Sequence, residues 1–259
     1  MPVVTVDSAR IPYQQRGSGP GLLLVHGTGP GAAITWSDLA ARFEGERTVV
    51  MPDLSGSLPA EDDGGQITLD QLSGQLAAVA ADAGGGPFDV VGFSLGAPTA
   101  AAFAVDHPEL VRRLVLIAGW IHPEDEQLRN FLTLWQRIAG DAEAFGRFAT
   151  LTGFSREFLN TLGREQVEGL VGNMQPTEPL LRQVDLLTRV DLRDRLPRLR
   201  ADTLAIGCSA DQTIPAARVR ELHEAIPGSR YEEIDAGHVV LFEQPEAVEQ
   251  TLRTFLDAA

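Results

Sequence analysis

Two rhythms of apolar residues divide the chain. Residues 3–6 and 11–15 alternate and predict an opening antiparallel pair of strands. Continuous apolar runs then recur at 21–25, 48–51, 90–92, 114–118 and 203–207, bounded by Gly, Pro or Asp. Such runs suit strands covered on both faces of a parallel sheet, where neither side-chain direction meets water. A more mixed run at 230–234 suits an edge strand. Helix-spaced patterns lie between them. Leu69, Leu72, Leu76 and Val79 share one face, and 97–105 is rich in small helix formers. Residues 245–256 open with a proline in the first turn and repeat apolar side chains at Val248, Leu252 and Phe255. Eight strands alternating with helices predict an α/β class and a mainly parallel sheet flanked by helices.

From 122 to 187 this rhythm stops. The segment reads as several short amphipathic helices, for example 126–139, with Phe131, Leu134, Trp135 and Ile138 at helix spacing. The expectation is one core built from 1–121 and 188–259, with 122–187 as a helical cap inserted between two strands. The run Pro-Ala-Glu-Asp-Asp-Gly-Gly at 59–65 reads as a solvated loop.

Composition narrows the function. The 259 residues carry 36 acidic and 21 basic side chains, a formal charge of −15, and every basic residue is Arg. Without Lys there is no Schiff-base lysine, no Ser–Lys dyad and no phosphate loop of the G-x-x-x-x-G-K type. Strong acidity argues against a nucleic-acid partner, whose phosphates need clustered cations. The single cysteine, Cys208, cannot form an internal disulfide, so a cytoplasmic setting is the expectation. The opening MPVVTVDSAR lacks a basic segment followed by a long apolar run, so no secretory leader is expected. The longest apolar runs are too short to span a bilayer, and no membrane partner is expected. A homodimer is compatible with the pattern.

Chemistry concentrates at Gly92-Phe93-Ser94-Leu95-Gly96. A G-x-S-x-G string alone arises often by chance. Here it follows the strand pattern of 88–91 and precedes a helix of small residues, the strand–turn–helix context of a nucleophile elbow. Ser94 would stand clear of the backbone at a helix N-terminus, facing backbone N–H groups suited to an oxyanion. A serine hydroxyl needs a base at neutral pH. Of the five histidines, His26 lies in a loop after a strand, His107 ends the elbow helix in a capping position, His122 opens the insertion and His223 lies in a polar helix. Only His238 stands between the last strand and the last helix, at the strand end that suits a base. Asp211, just past the strand at 203–207, is placed to orient that imidazole. The position after the preceding strand, Ala118-Gly119-Trp120, offers no carboxylate. The Gly-rich loop after residue 25 and the elbow should supply two oxyanion donors, the backbone N–H groups of Thr28 and Leu95.

These pieces together resemble the α/β-hydrolase superfamily across essentially the whole chain. Val25-His26-Gly27, the elbow, the Asp211 loop and Ala236-Gly237-His238 fall in its order and spacing. The resemblance implies an eight-stranded α/β-hydrolase fold and a Ser94–His238–Asp211 triad that works without a cofactor. One segment, HGTGPGAAITW at 26–36, resembles the meta-cleavage-product hydrolases, which cut carbon–carbon bonds. That subgroup typically has Asn before the nucleophile, Met after it and Trp after the catalytic His. This chain has Phe93, Leu95 and Val239 there.

The expected function is therefore a serine hydrolase of a small, largely apolar acyl substrate: an ester, thioester or lactone. A carbon–carbon bond hydrolase and a non-hydrolytic ligand-binding relative remain alternatives. Phe93, Phe131, Trp135 and Val239 are expected at the substrate, and Phe145, Phe148, Phe154 and Phe158 are further candidates, although packing within the insertion is the commoner use of such residues. No cysteine–histidine spacing suggests a metal site.

Overall fold

A computed structural model describes residues 1–29 and 31–258. Its sheet has eight strands: β1 (Val3–Val6), β2 (Ala9–Arg16), β3 (Gly21–Val25), β4 (Thr48–Pro52), β5 (Phe88–Phe93), β6 (Val111–Ile117), β7 (Asp202–Cys208) and β8 (Arg230–Ile234). Their spatial order is β1-β2-β4-β3-β5-β6-β7-β8. β2 runs antiparallel to both neighbours, and β3 to β8 pair in parallel. The mainly parallel sheet and the mixed edge strand of the sequence pattern are both present.

The period of two along a strand sorts the core into two layers. Leu23, Val25, Val90, Leu114 and Leu116 face one cluster, and Leu22, Leu24, Val91, Val115 and Ile117 face the other. α2 (Leu69–Asp82) and α3 (Gly96–Asp106) cover the first layer. α1 (Ala32–Phe43) and α11 (Pro245–Leu256) cover the second. A Thr68–Gln71 capping box starts α2, since both side chains satisfy N–H groups the first turn leaves open. Each fully buried Leu, Ile or Val contributes roughly 1.5–3 kcal/mol.

Between β6 and β7 the chain forms only helices: α4 (Glu126–Arg137), α5 (Ala142–Gly153), α6 (Arg156–Thr161), α7 (Arg164–Asn173) and α8 (Glu178–Leu187). α9 (Ala216–Ala225) precedes β8, and the short α10 (Val240–Glu243) precedes α11. No helix among the described residues is long and apolar enough to cross a membrane. The loop at 59–65 is less free than its composition suggests. Glu61 exchanges two backbone hydrogen bonds with Arg10, and Asp62 pairs with Arg182 of α8 at 2.7 Å.

Sheet topology prepares one location for chemistry. After β3 the chain moves to β4 on one side, then returns to β5 on the other. The carboxyl ends of β3 and β5 thus flank a switch point, where open α/β sheets hold their ligands. At the opposite end of β5, Asp89 is fully buried and receives Arg47 at 2.6 Å and the Arg112 Nε at 2.8 Å. Removing one partner of a buried pair leaves an uncompensated charge. Asp89→Asn is therefore expected to lower unfolding free energy by about 3 kcal/mol in a urea melt while leaving activity intact. A loss under about 1 kcal/mol would contradict the buried pairing.

Candidate active site

Ser94 occupies the turn between β5 and α3. Its φ of 53° lies in the left-handed region, where a side chain is strained, and the turn holds it there. Its N–H donates to the Ile117 carbonyl of β6 at 2.9 Å, and its carbonyl accepts the Ala97 N–H at 2.9 Å. The flanking glycines have a steric reason. A Cβ on Gly96 would collide with the Val25 carbonyl, and one on Gly92 with the Gly96 carbonyl. Strand β3, the elbow and α3 come together only because both positions lack side chains.

Three loops bring the other groups to this point. His238 follows β8, and its Nε2 lies 2.9 Å from Ser94 Oγ. Its Nδ1 lies 2.8 Å from Asp211 Oδ2. Asp211 follows β7, and its other oxygen accepts the N–H groups of Thr213 and Ile214, each at 2.7 Å. One carboxylate oxygen is thus committed to the backbone and the other to imidazole. Both His238 and Asp211 are buried. The remaining histidines are engaged elsewhere. His107 closes α3 through its backbone N–H, not its ring, and packs on Phe103. His122 meets Glu221, and His223 meets Ser229.

Thr28 lines the same cavity as Ser94, and Leu95 follows Ser94 in the turn. Gly27 packs against the Ser94 side chain, where a Cβ would come within 3.0 Å of Ser94 Cβ. Among the described residues, neither the Thr28 nor the Leu95 backbone N–H has a hydrogen-bond partner. Unspent donors at a buried turn are suited to receive an anionic oxygen.

His26 holds the start of this loop. Its Nδ1 bonds the Gly27 carbonyl at 2.7 Å, and its Nε2 accepts the Leu54 N–H at 3.0 Å. A second proton on Nε2 would face that N–H. Burial also holds the imidazole below its ordinary 6.5, and the Gly27 carbonyl and Asp53 only partly offset this. The unfolded chain therefore takes up the proton first. Stability is expected to fall as pH drops below about 6.5, by up to about 1.4 kcal/mol per pH unit. The Asp53 carboxyl, raised by its own burial, works in the opposite direction at lower pH. Urea melts of the wild type and His26→Asn at pH 7.5 and 5.5 measure the effect. Equal pH dependence in both proteins would rule out His26 as its source.

A cavity of about 460 Å³ opens above Ser94 and His238. Phe93, Phe131, Trp135 and Val239 all line it, as does Thr28. Of the four further candidates Phe145, Phe148, Phe154 and Phe158, only Phe154 reaches the wall. Phe145 stacks behind Trp135, Phe148 packs on Phe131, and Phe158 stacks on Phe154. The thin α4–α7 layer must bury its own faces, so half of its aromatics support the wall from behind. Trp36 is likewise fully buried and lies edge-on to Phe93 at 6.5 Å, outside the cavity wall. Residues not anticipated from the sequence include Trp120 and Met174 in the wall, and Ile34 and Phe242, which line the cavity while largely exposed. Trp120 lies just past the end of β6, the signal that could have found it. Ile34 and Phe242 carried no such signal.

Comparisons with known proteins agree with the fold. Residues 20–245 match the family described as alpha/beta hydrolase fold. A relative named pyrrolizixenacetamide deacetylase, from Xenorhabdus hominickii, is 37% identical over 257 residues, covering 98% of this chain and 97% of that protein. A candidate carbamate hydrolase, RutD of Azorhizobium caulinodans, is 27% identical over 98% of both chains. Among solved structures, MGS-M2, an alpha/beta hydrolase from a Medee basin deep-sea metagenome library, superposes with a TM-score of 0.91 at 18% identity. The match covers 100% of this chain and 98% of that one.

Proposed function

The chain belongs to the alpha/beta hydrolase fold family and is a hydrolase, and we propose that it cleaves a modest, largely apolar carboxylic ester or amide through Ser94. The reading rests on one observation, the unbroken Ser94–His238–Asp211 chain of contacts at 2.9 and 2.8 Å beside two unspent backbone donors. Ser94 Oγ attacks the substrate carbonyl carbon as His238 Nε2 takes its proton. The carbonyl electron pair moves to oxygen, where the Thr28 and Leu95 N–H groups hold it, each worth roughly 3–4 kcal/mol. The intermediate collapses, and the leaving oxygen or nitrogen takes the proton from His238. Water, deprotonated by the same imidazole, then releases the acid from Ser94. Asp211 fixes the tautomer and stabilises the charged ring.

The helices of 122–187 act in this reading as a cap that closes the cavity above Ser94. A volume near 460 Å³ walled by Phe, Trp, Leu and Met side chains favours an apolar substrate of drug-like size. The relative named as a deacetylase supports removal of a short acyl group from nitrogen as well as oxygen, extending the ester, thioester and lactone expectation to amides. The carbon–carbon reading draws on the 26–36 segment, whose Trp36 is accounted for by packing behind Phe93.

A fluorophosphonate probe on purified protein tests the proposal. Labelling that disappears in Ser94→Ala is expected, together with turnover of p-nitrophenyl esters and N-acetyl arylamines. A protein that takes no label would sink the nucleophile assignment. Turnover of a vinylogous diketone in preference to both would favour the carbon–carbon alternative.

A further inference from the structure

Gln183 is a polar side chain on the buried face of α8, between Leu180, Val184 and Leu187, and is 1% exposed. A buried amide is costly unless both ends are hydrogen-bonded. Here they are. Oε1 accepts the Gly29 N–H at 3.1 Å, and Nε2 donates to the Ser55 carbonyl at 3.1 Å. Both partners are backbone groups of fixed polarity, so only one orientation of the amide satisfies them. Gly29 immediately follows Thr28, whose N–H is one of the two oxyanion donors. Ser55 is itself fastened, since its N–H donates to Gln75 Oε1 at 3.1 Å and its Oγ accepts Gln75 Nε2 at 2.8 Å. α2 thus braces the turn after β4, that turn braces Gln183, and Gln183 braces the loop after β3.

Among the described residues of that loop, Thr28 is flanked by few other hydrogen bonds. Glycines at 27, 29 and 31 leave it few side chains, and Gly29 adopts a φ of 142°. The orientation of a peptide N–H in such a segment is set by the hydrogen bonds of its neighbours. On one side of Thr28 these are the His26 contacts. On the other is Gln183.

We propose that Gln183 is a positioning residue for the oxyanion hole, through which the inserted helix α8 fixes the direction of the Thr28 N–H. This rests on the serine-hydrolase reading above. The amide does not touch substrate, and its effect passes through the Gly29 peptide. Freed from it, the loop still admits substrate but stabilises the tetrahedral oxyanion less well. The loss belongs to kcat and to binding of tetrahedral adducts, not to KM.

Gln183→Met keeps the volume and removes both bonds. The expected result is a drop in kcat of about tenfold, smaller than the hundredfold or more of a deleted donor. KM should stay within about twofold and the pH profile unchanged, while the Ki of a phenylboronic acid, whose adduct is a tetrahedral anion, rises in parallel with the kcat loss. Gln183→Glu keeps an acceptor for Gly29 and should recover part of both. If the Met variant does not fold, Gln183→Ser, which leaves room for water at both backbone groups, should show the same kcat and boronate losses. Boronate affinity and kcat within twofold of wild type in a folded Met or Ser variant would overturn the proposal, as would an increase in KM alone. Failure of the wild type to take a fluorophosphonate would instead strike the serine-hydrolase reading.

Discussion

Ser94→Ala is expected to lower kcat on any substrate of this protein by a factor of about a million and to abolish fluorophosphonate labelling, with the fold intact. The size of the loss follows from what remains. His238 and Asp211 would still contact each other, and the Thr28 and Leu95 donors would still be present, but no group would stand within bonding reach of a carbonyl carbon. Residual rate would come from binding and oxyanion stabilisation acting on water. The loss should fall on kcat with KM little changed, because the hydroxyl contributes almost nothing to the wall of an apolar cavity. Alanine keeps the Cβ at a φ of 53°, so the turn retains its strain, and the Ile117 and Ala97 backbone bonds are untouched. Thermal unfolding should therefore shift by only a few degrees. A variant that keeps a hundredth of wild-type kcat would mean that Ser94 is not the nucleophile.

Asp211→Asn is expected to cost about ten-thousand-fold in kcat, and the surroundings of the carboxylate explain why. Oδ1 sits before two N–H donors, those of Thr213 and Ile214. An asparagine must turn its carbonyl oxygen toward them, since its NH2 there would oppose two donors. The NH2 then faces His238 Nδ1, which can only accept. The ring proton is forced onto Nε2, the nitrogen that should receive the Ser94 proton. The substitution thus keeps the packing and selects the wrong tautomer. Circular dichroism should be unchanged while kcat/KM collapses. Activity within tenfold of wild type would show that Asp211 does not set the tautomer.

The contacts of Ser94, His238 and Asp211 were legible because each residue is tied to a local signal. Ser94 stands between glycines at fixed spacing after an apolar run. Asp211 and His238 each follow a strand that feeds the same edge of the sheet. The five central strands, β3 to β7, were legible for a similar reason, since burial on both faces leaves continuous apolar runs. The wall of the cavity was legible only in part. Phe131, Trp135 and Phe145 look alike in sequence, yet two line the cavity and the third backs it. Helix periodicity identifies an apolar face but does not say whether that face meets a void or another helix. Gln183 left a faint trace as a polar residue inside an apolar pattern, and its partners, 128 and 154 residues away in the chain, left none.

The sequence by itself determined the strand count, the chemical groups and their order along the chain, because these follow from patterns a few residues long. Tertiary structure alone decided which N–H groups remain unspent, which aromatics touch the cavity and which helix hydrogen-bonds the loop after β3. Those depend on contacts between segments far apart in the chain, where the free energy of a hydrogen bond or a packed ring is set by the partner that folding brings to it.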